Sequence, residues 1–218
     1  MKWRLSMIVK VCGLNSIDNI ASLPLSQIDW LGFIFDEKSP RKVTINPNEQ
    51  FFEVTKNHKR VGVFVNELLT KVFSTVKAYD LNTVQLHGQE PVEHCAYLRN
   101  YGINVVKVIS VDEETDFYEY EKYEPFVNYF LLDTKSLKHG GTGRKFNWEI
   151  LQSYPLQTPF LLSGGIGPDD AEIVTQLSID KCIGIDINSR FEIQPGIKDP
   201  VLIQTFLESI KDTRYVTD

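Results

Sequence analysis

Short runs of β-branched and aromatic residues alternate with amphipathic stretches along the whole chain. The runs are 7–12 (MIVKVC), 28–35 (IDWLGFIF), 60–65 (RVGVFV), 83–87 (TVQLH), 104–110 (NVVKVIS), 128–133 (NYFLLD), 159–163 (PFLLS) and 182–188 (CIGIDIN). Runs apolar on both faces, separated by helical segments, predict parallel strands covered on both sides. Leu68, Leu69, Val72, Phe73 and Val76 form one apolar stripe over 66–79, and Ile203, Phe206, Leu207 and Ile210 form another over 200–211. Asn147 before Trp148, the run Pro168-Asp169-Asp170, and Asp199-Pro200 mark helix starts. Each strand is predicted to be followed by a helix.

Eight such units in 218 residues, with no composition break that would mark a linker, predict an α/β fold. The expected form is a single-domain (β/α)8 TIM barrel over residues 1–218, its core spanning about 7–210. A doubly wound open sheet is the alternative, but it usually has fewer strands. When it binds a dinucleotide it also carries an early GxGxxG, which this chain lacks. In a barrel, function sits at the carboxyl ends of the strands and in the loops that follow. Polar residues closing apolar strands are therefore informative: Cys12, Gln85, His87, Asp133, Ser163, Asp186 and Asn188.

Composition narrows the function class. A net charge of −6 argues against a general nucleic-acid or anionic-membrane binder. Three cysteines, Cys12, Cys95 and Cys182, without a CxxC or a nearby His pair, disfavour a disulfide framework and a structural zinc site, and fit a reducing compartment. The opening MKWRLSMIVKVCGLN is too short and too broken by Lys10 for a signal peptide, and no apolar run approaches the roughly 18 residues of a membrane span. The expected location is cytoplasmic.

Two late loops carry a phosphate signal. Ser163-Gly164-Gly165-Ile166-Gly167-Pro168 follows the seventh strand and opens a helix, and Asp186-Ile187-Asn188-Ser189 follows the eighth. Loops at these ordinals are the habitual phosphate cradle of such barrels, because glycine amides and a helix N-terminus converge on the anion. A third cluster, Gly140-Gly141-Thr142-Gly143, follows strand six. The plainer alternative is that these loops are merely tight turns.

Side chains alternate along a strand, so Lys10 and Cys12 share a face opposite Val9 and Val11. The valines suit the helix layer, which puts Lys10 and Cys12 in the barrel mouth. A nearby ammonium would favour the thiolate and make Cys12 a usable base; a lone strand cysteine also serves as a small buried hydrophobe, the reading given to Cys95 and Cys182. Asp133 ends the apolar run Tyr129-Phe130-Leu131-Leu132, where partial burial would raise its pKa toward a general acid's range. Capping of the following loop is its alternative role. Arg41, in Ser39-Pro40-Arg41 after the second strand, suits a guanidinium clamp on a planar carboxylate, or is an exposed loop arginine. His87 either orients a substrate or bonds to its own loop. The acidic and tyrosine-rich stretch 112–124 is expected to be a solvated helix face.

Together these segments resemble the phosphoribosylanthranilate isomerase family, (β/α)8 enzymes of tryptophan biosynthesis. The matching pieces are Lys10-Val11-Cys12-Gly13, Gly32-Phe33-Ile34-Phe35 leading to Ser39-Pro40-Arg41, and Val61-Gly62-Val63-Phe64. Next come Gln85-Leu86-His87-Gly88 and Asp133-Thr134 with the Gly140–Gly143 cluster and Phe146. The series ends with Ser163-Gly164-Gly165-Ile166, then Asp186-Ile187-Asn188-Ser189 with Pro195-Gly196. The resemblance runs from about residue 7 to 210 in the family's order, and it is this ordered set that is specific.

The resemblance implies an Amadori rearrangement of N-(5′-phosphoribosyl)anthranilate, an aldose-to-ketose isomerisation by general acid/base catalysis. By analogy Asp133 protonates the furanose ring oxygen and Cys12 removes the C2′ proton. Arg41 is placed like the family's contact to the anthranilate carboxylate, and the loops at Gly164-Gly165 and Asn188-Ser189 hold the phosphate. With Lys10, His87, Gly141 and Asp186 these make up the expected substrate site. The implied partner is this small sugar phosphate alone, with no metal, cofactor, nucleic acid or membrane, in a monomer or homodimer. Two departures stand out: Asn147 where the family commonly has Asp, and Arg190-Phe191 in place of a small Gly-Val.

Two rivals remain on sequence grounds. The related barrel isomerase of histidine biosynthesis resembles a two-fold repeat with a carboxylate base on strand one, whereas here strand one offers Cys12 and the halves show no matched phosphate loops. A non-catalytic sugar-phosphate-binding barrel would be expected to have lost the acid or the base, and both are present.

Overall fold

The structure, a computed structural model, describes residues 7–134, 147–177 and 179–212. Gly141 with its glycine cluster, Phe146 and residues 1–6 lie outside the described residues. Eight parallel strands close into a barrel in sequence order. They are β1 (Ile8–Val11), β2 (Trp30–Ile34), β3 (Lys59–Phe64), β4 (Thr83–Leu86), β5 (Asn104–Val111), β6 (Tyr129–Thr134), β7 (Phe160–Leu162) and β8 (Cys182–Ile187). β8 closes on β1 with Lys10 opposite Asp186 and Val11 opposite Ile187. A two-stranded antiparallel hairpin, β9 (Glu192–Gln194) and β10 (Ile197–Lys198), follows β8.

The α-helices are α1 (Ile17–Ser22), α2 (Glu49–Thr55), α3 (Leu69–Tyr79), α4 (Val92–Asn100), α5 (Ala171–Gln176) and α6 (Pro200–Asp212). Strand alternation divides the apolar side chains as the pattern predicts. Val9, Val11, Leu31, Phe33, Leu86 and Ile187 join helix residues such as Ile20, Phe51, Leu98 and Phe206 in the layer outside the barrel. Trp30, Val61, Val106, Val108, Leu131 and Leu161 fill the inside, packed by Ile8, Tyr129 and Ile183. This inner plug leaves the upper, polar end of the barrel for chemistry.

Three local expectations need correction. Leu68 does not belong to the α3 stripe; it precedes the helix and is exposed. The stretch after β5 is a 3₁₀ segment, Phe117–Phe126, whose Phe117 is buried, not a solvated α-helix. The stretch 112–124 holds seven carboxylates and one cation, Lys122, and Pro125 lacks an N–H, so an α-helix is disfavoured there. Asn147 does cap a helical start through the Glu149 N–H, but Trp148–Ser153 is also 3₁₀, with Pro155 limiting its length. Among the described residues no helix is long and apolar enough to cross a membrane.

Candidate active site

The Cys12 side of the barrel mouth is built by β1, β2 and β8. The Lys10 ammonium donates to Asp186 Oδ2 at 2.8 Å, and both side chains are buried. Just above, the Cys12 N–H donates to Ile187 O at 3.0 Å and pins the end of β1. Gly32 on β2 opens the niche for the thiol: a Cβ at that position would stand 2.8 Å from Cys12 Sγ. The expectation that an ammonium alone would favour the thiolate meets a larger opposing effect. Burial pushes the Cys12 thiol up, and Lys10 and Lys198 pull it back only partly. Lys10 is itself lowered by burial, but Asp186 and Cys12 outweigh this and hold its ammonium above the ordinary range. The second oxygen of Asp186, Oδ1, is buried without a hydrogen-bond partner among the described residues.

The Asp133 side joins β4, β6 and the loop after β7. Asp133 divides its oxygens between two tasks: Oδ1 accepts from the Thr134 N–H at 2.9 Å, and Oδ2 lies 3.2 Å from His87 Nε2. Gln85, on the same face of β4, places its Nε2 3.2 Å from His87 Nδ1. If the amide donates there, the neutral ring carries its proton on Nε2 and points it at Asp133. His87 thus bonds both to its own strand and across to β6. Its backbone is held as well, by its N–H to Phe64 O at 2.8 Å. The next residues are clasped by the buried pair Lys107–Glu90: Lys107 Nζ reaches Gly88 O at 2.6 Å, and Glu90 accepts the Gly88 and Asn66 N–H groups.

Gly164 is seated directly against Asp133. Its φ of +84° is a left-handed conformation, and a Cβ there would run into the Thr134 N and Oγ1 and come within 3.0 Å of Asp133 Oδ1. Gly165 follows at φ +76°, and the Gly167 N–H donates to Asp170 Oδ2 at 2.6 Å to turn the chain into α5. The candidate phosphate loop is therefore packed onto the strand that carries the candidate acid.

Arg41, reached through the turn after β2, has most of its side chain covered and is paired within the chain. Its Nε lies 3.0 and 2.9 Å from the two oxygens of Glu192, and its Nη2 lies 2.8 Å from Oε2. Glu192 also receives Lys198 Nζ at 2.6 Å, and Lys198 donates to Asn188 Oδ1 at 2.7 Å. Asn188 packs back on the residue after Cys12: a Cβ on Gly13 would stand 2.7 Å from its Oδ1. Ser189 opens a short 3₁₀ turn in which Phe191 is buried against Phe206, while Arg190 is exposed and lies across Gly167.

Every candidate within the described residues thus lies at the carboxyl ends of the barrel strands or just beyond them. Lys10, Cys12 and Asp186 meet on one side of the mouth, and His87, Asp133 and Gly164 on the other. Field effects connect the two halves, since both Asp133 and His87 act on Asp186. Sequence reasoning passed over Glu192 and Lys198. Their signal was present as two opposite charges flanking Pro195-Gly196, the spacing that sets them opposite each other across a hairpin. Among the described residues no group of three or more His, Cys, Asp or Glu is arranged to hold a metal ion.

Known proteins are similar to this chain in architecture and in sequence. The profile of the N-(5′phosphoribosyl)anthranilate (PRA) isomerase family matches residues 9–209. The N-(5′-phosphoribosyl)anthranilate isomerase of Parabacteroides distasonis is 41% identical over 208 residues, covering 94% of this chain and 93% of its own. The crystal structure of phosphoribosyl anthranilate isomerase from Thermotoga maritima is 32% identical, with a TM-score of 0.79, over 94% of this chain and 99% of that one. A crystal structure of phosphoribosyl anthranilate isomerase in complex with reduced 1-(o-carboxyphenylamino)-1-deoxyribulose 5-phosphate is 30% identical, with a TM-score of 0.76 and the same coverage. By sequence and by fold, the chain belongs to the N-(5′-phosphoribosyl)anthranilate isomerase family.

Proposed function

We propose that the chain acts as a single domain that isomerises N-(5′-phosphoribosyl)anthranilate to 1-(2-carboxyphenylamino)-1-deoxyribulose 5-phosphate, with Asp133 as acid and Cys12 as base. Asp133 gives its proton to the furanose ring oxygen. The lone pair of the anilino nitrogen then forms the C1′=N bond as the C1′–O bond breaks. His87, with its Nε2 3.2 Å from Asp133 Oδ2, stabilises the carboxylate that donation leaves behind. Cys12, as thiolate, takes the C2′ proton; the C–H electrons become the C1′=C2′ bond and the iminium pair returns to nitrogen. The resulting enolamine gains a proton at C1′ and loses one from its 2′-hydroxyl, which leaves the ketone. Lys10 and Lys198 favour the thiolate that this step requires.

In this reading Gly164, Gly165, Asn188 and Ser189 surround the phosphate, and Arg41 faces the aryl carboxylate. The observation that carries it is the mouth itself: a niche for one thiol beside the buried Lys10–Asp186 pair, and one partly open carboxyl held by His87 on the other side. Substrate generated in situ and followed by loss of its fluorescence tests it. Turnover is the expected result, while tight binding without turnover would mark a non-catalytic sugar-phosphate binder.

A further inference from the structure

Glu192 takes no part in the proton transfers and Lys198 bears on them only through its field on Cys12, yet their side chains are 4% and 0% exposed. Charges so deeply buried are costly unless each is paired and hydrogen-bonded, and here each is. Glu192 Oε1 accepts from Lys198 Nζ and from the Gly196 N–H at 3.1 Å, and Lys198 is further tied to Asn188. The carboxylate presents both oxygens to one edge of the Arg41 guanidinium, the edge formed by Nε and one Nη2 hydrogen. The guanidinium is planar and offers a second edge, made by Nη1 and the other Nη2 hydrogen. Nη1 has no partner among the described residues. Two cations and one anion leave the cluster with one net positive charge, which matches a single carboxylate.

We propose that Glu192, locked in place by Lys198, is a positioning residue that fixes Arg41 with its second edge toward the aryl carboxylate, so that the β9–β10 hairpin sets selectivity for an ortho-carboxyl aniline. The inference rests on the role given to Arg41 above. Held on one edge, Arg41 loses little further side-chain freedom when it binds a second carboxylate. Without Glu192 the same arginine would sample other rotamers, and its bidentate geometry would be lost.

The test uses two probes: reduced 1-(o-carboxyphenylamino)-1-deoxyribulose 5-phosphate and its phenylamino counterpart without the carboxyl. Their dissociation constants are measured on the full chain, on Glu192→Gln and on the double variant Glu192→Gln/Lys198→Met. The double variant avoids stranding a buried ammonium and keeps the test available if the single change unfolds the chain. The unsubstituted chain should prefer the carboxyl probe by about 30-fold, the scale of one charged bidentate contact. Both variants should reduce that preference to within about threefold; Glu192→Gln should bind the carboxyl-free probe as before, whereas the double variant, which also releases Asn188, is read by the ratio of the two probes alone. Retention of the full preference, or equal weakening toward both probes, would overturn the proposal. If the unsubstituted chain shows no preference, the role of Arg41 fails as well, so the two failures are distinguishable.

Discussion

Replacing Cys12 by Ser separates chemistry from stability. The side chain sits in the niche that Gly32 leaves open, beside the Lys10 ammonium. A serine hydroxyl there can accept from Lys10, so the buried oxygen keeps a partner. The fold should therefore lose only about 1 kcal/mol, which is about 2–4 °C in Tm for a chain of this size. The chemical effect is far larger. A hydroxyl is a much weaker acid than a thiol, and almost no alkoxide forms at any working pH. Loss of a general base lowers kcat by about 10²–10⁴-fold, or about 2.7–5.4 kcal/mol of barrier. Fluorescence decay of fresh substrate and thermal unfolding are measured on the same samples. Cys95→Ser is the control: that thiol is fully buried on α4 and pushed up to about 12 by burial, outside the mouth. It should lower Tm and leave kcat unchanged. A Cys12→Ser variant with kcat within about threefold of the parent would remove Cys12 as the base.

Asp133→Asn keeps the bond from the Thr134 N–H but offers no comparable proton, so kcat should fall at least about a hundredfold with Tm nearly unchanged; an active variant would point to another acid. Gly164→Ala forces a left-handed alanine into the end of β6, which costs about 1–2 kcal/mol before any clash. Its KM and its inhibition constant for inorganic phosphate should each rise about tenfold or more, and unchanged values would mean the loop is not seated on that strand. Arg41→Ala should raise KM more than it lowers kcat; an unchanged KM would count against the carboxylate contact. Burial alone would raise the Glu192 carboxyl, but Arg41, Lys198 and the Gly196 N–H together hold it below its ordinary 4.5. Its stabilisation is thus fully present above that value and is lost as pH falls through the lower folded one. Urea titrations from pH 6 downward should show a shallower acid loss for Glu192→Gln than for the parent, and parallel curves would contradict the ion network.

The barrel was legible because each strand is buried on both faces, and eight such runs have few other ways to close. The same logic located Lys10, Cys12, Asp133 and Asp186, since a polar group ending an apolar strand is conspicuous. It misjudged the connections after β5 and β6, where Pro125, Pro155 and crowded carboxylates replaced α-helices by 3₁₀ segments. It also passed over Glu192, Lys198, Glu90 and Lys107, because in sequence a buried charge looks the same as a solvated one. Their role follows from what they touch, and that depends on contacts across the hairpin and between loops. The protonation of Cys12 was beyond reach for a similar reason: its balance depends on how deeply the niche is enclosed, not on whether a lysine is near.

Lys10 and Asp186 are 176 positions apart. At ribosomal speeds of about 5–20 residues per second, the ammonium is made roughly 10–35 s before the carboxylate that neutralises it. Through that interval the first strand has a lysine meant for an interior that does not yet exist, and water is its only counterpart. A nascent polypeptide therefore contains the Cys12 sulfur without its electrostatic setting. Catalytic competence should arrive in one late step, when the eighth strand closes the ring.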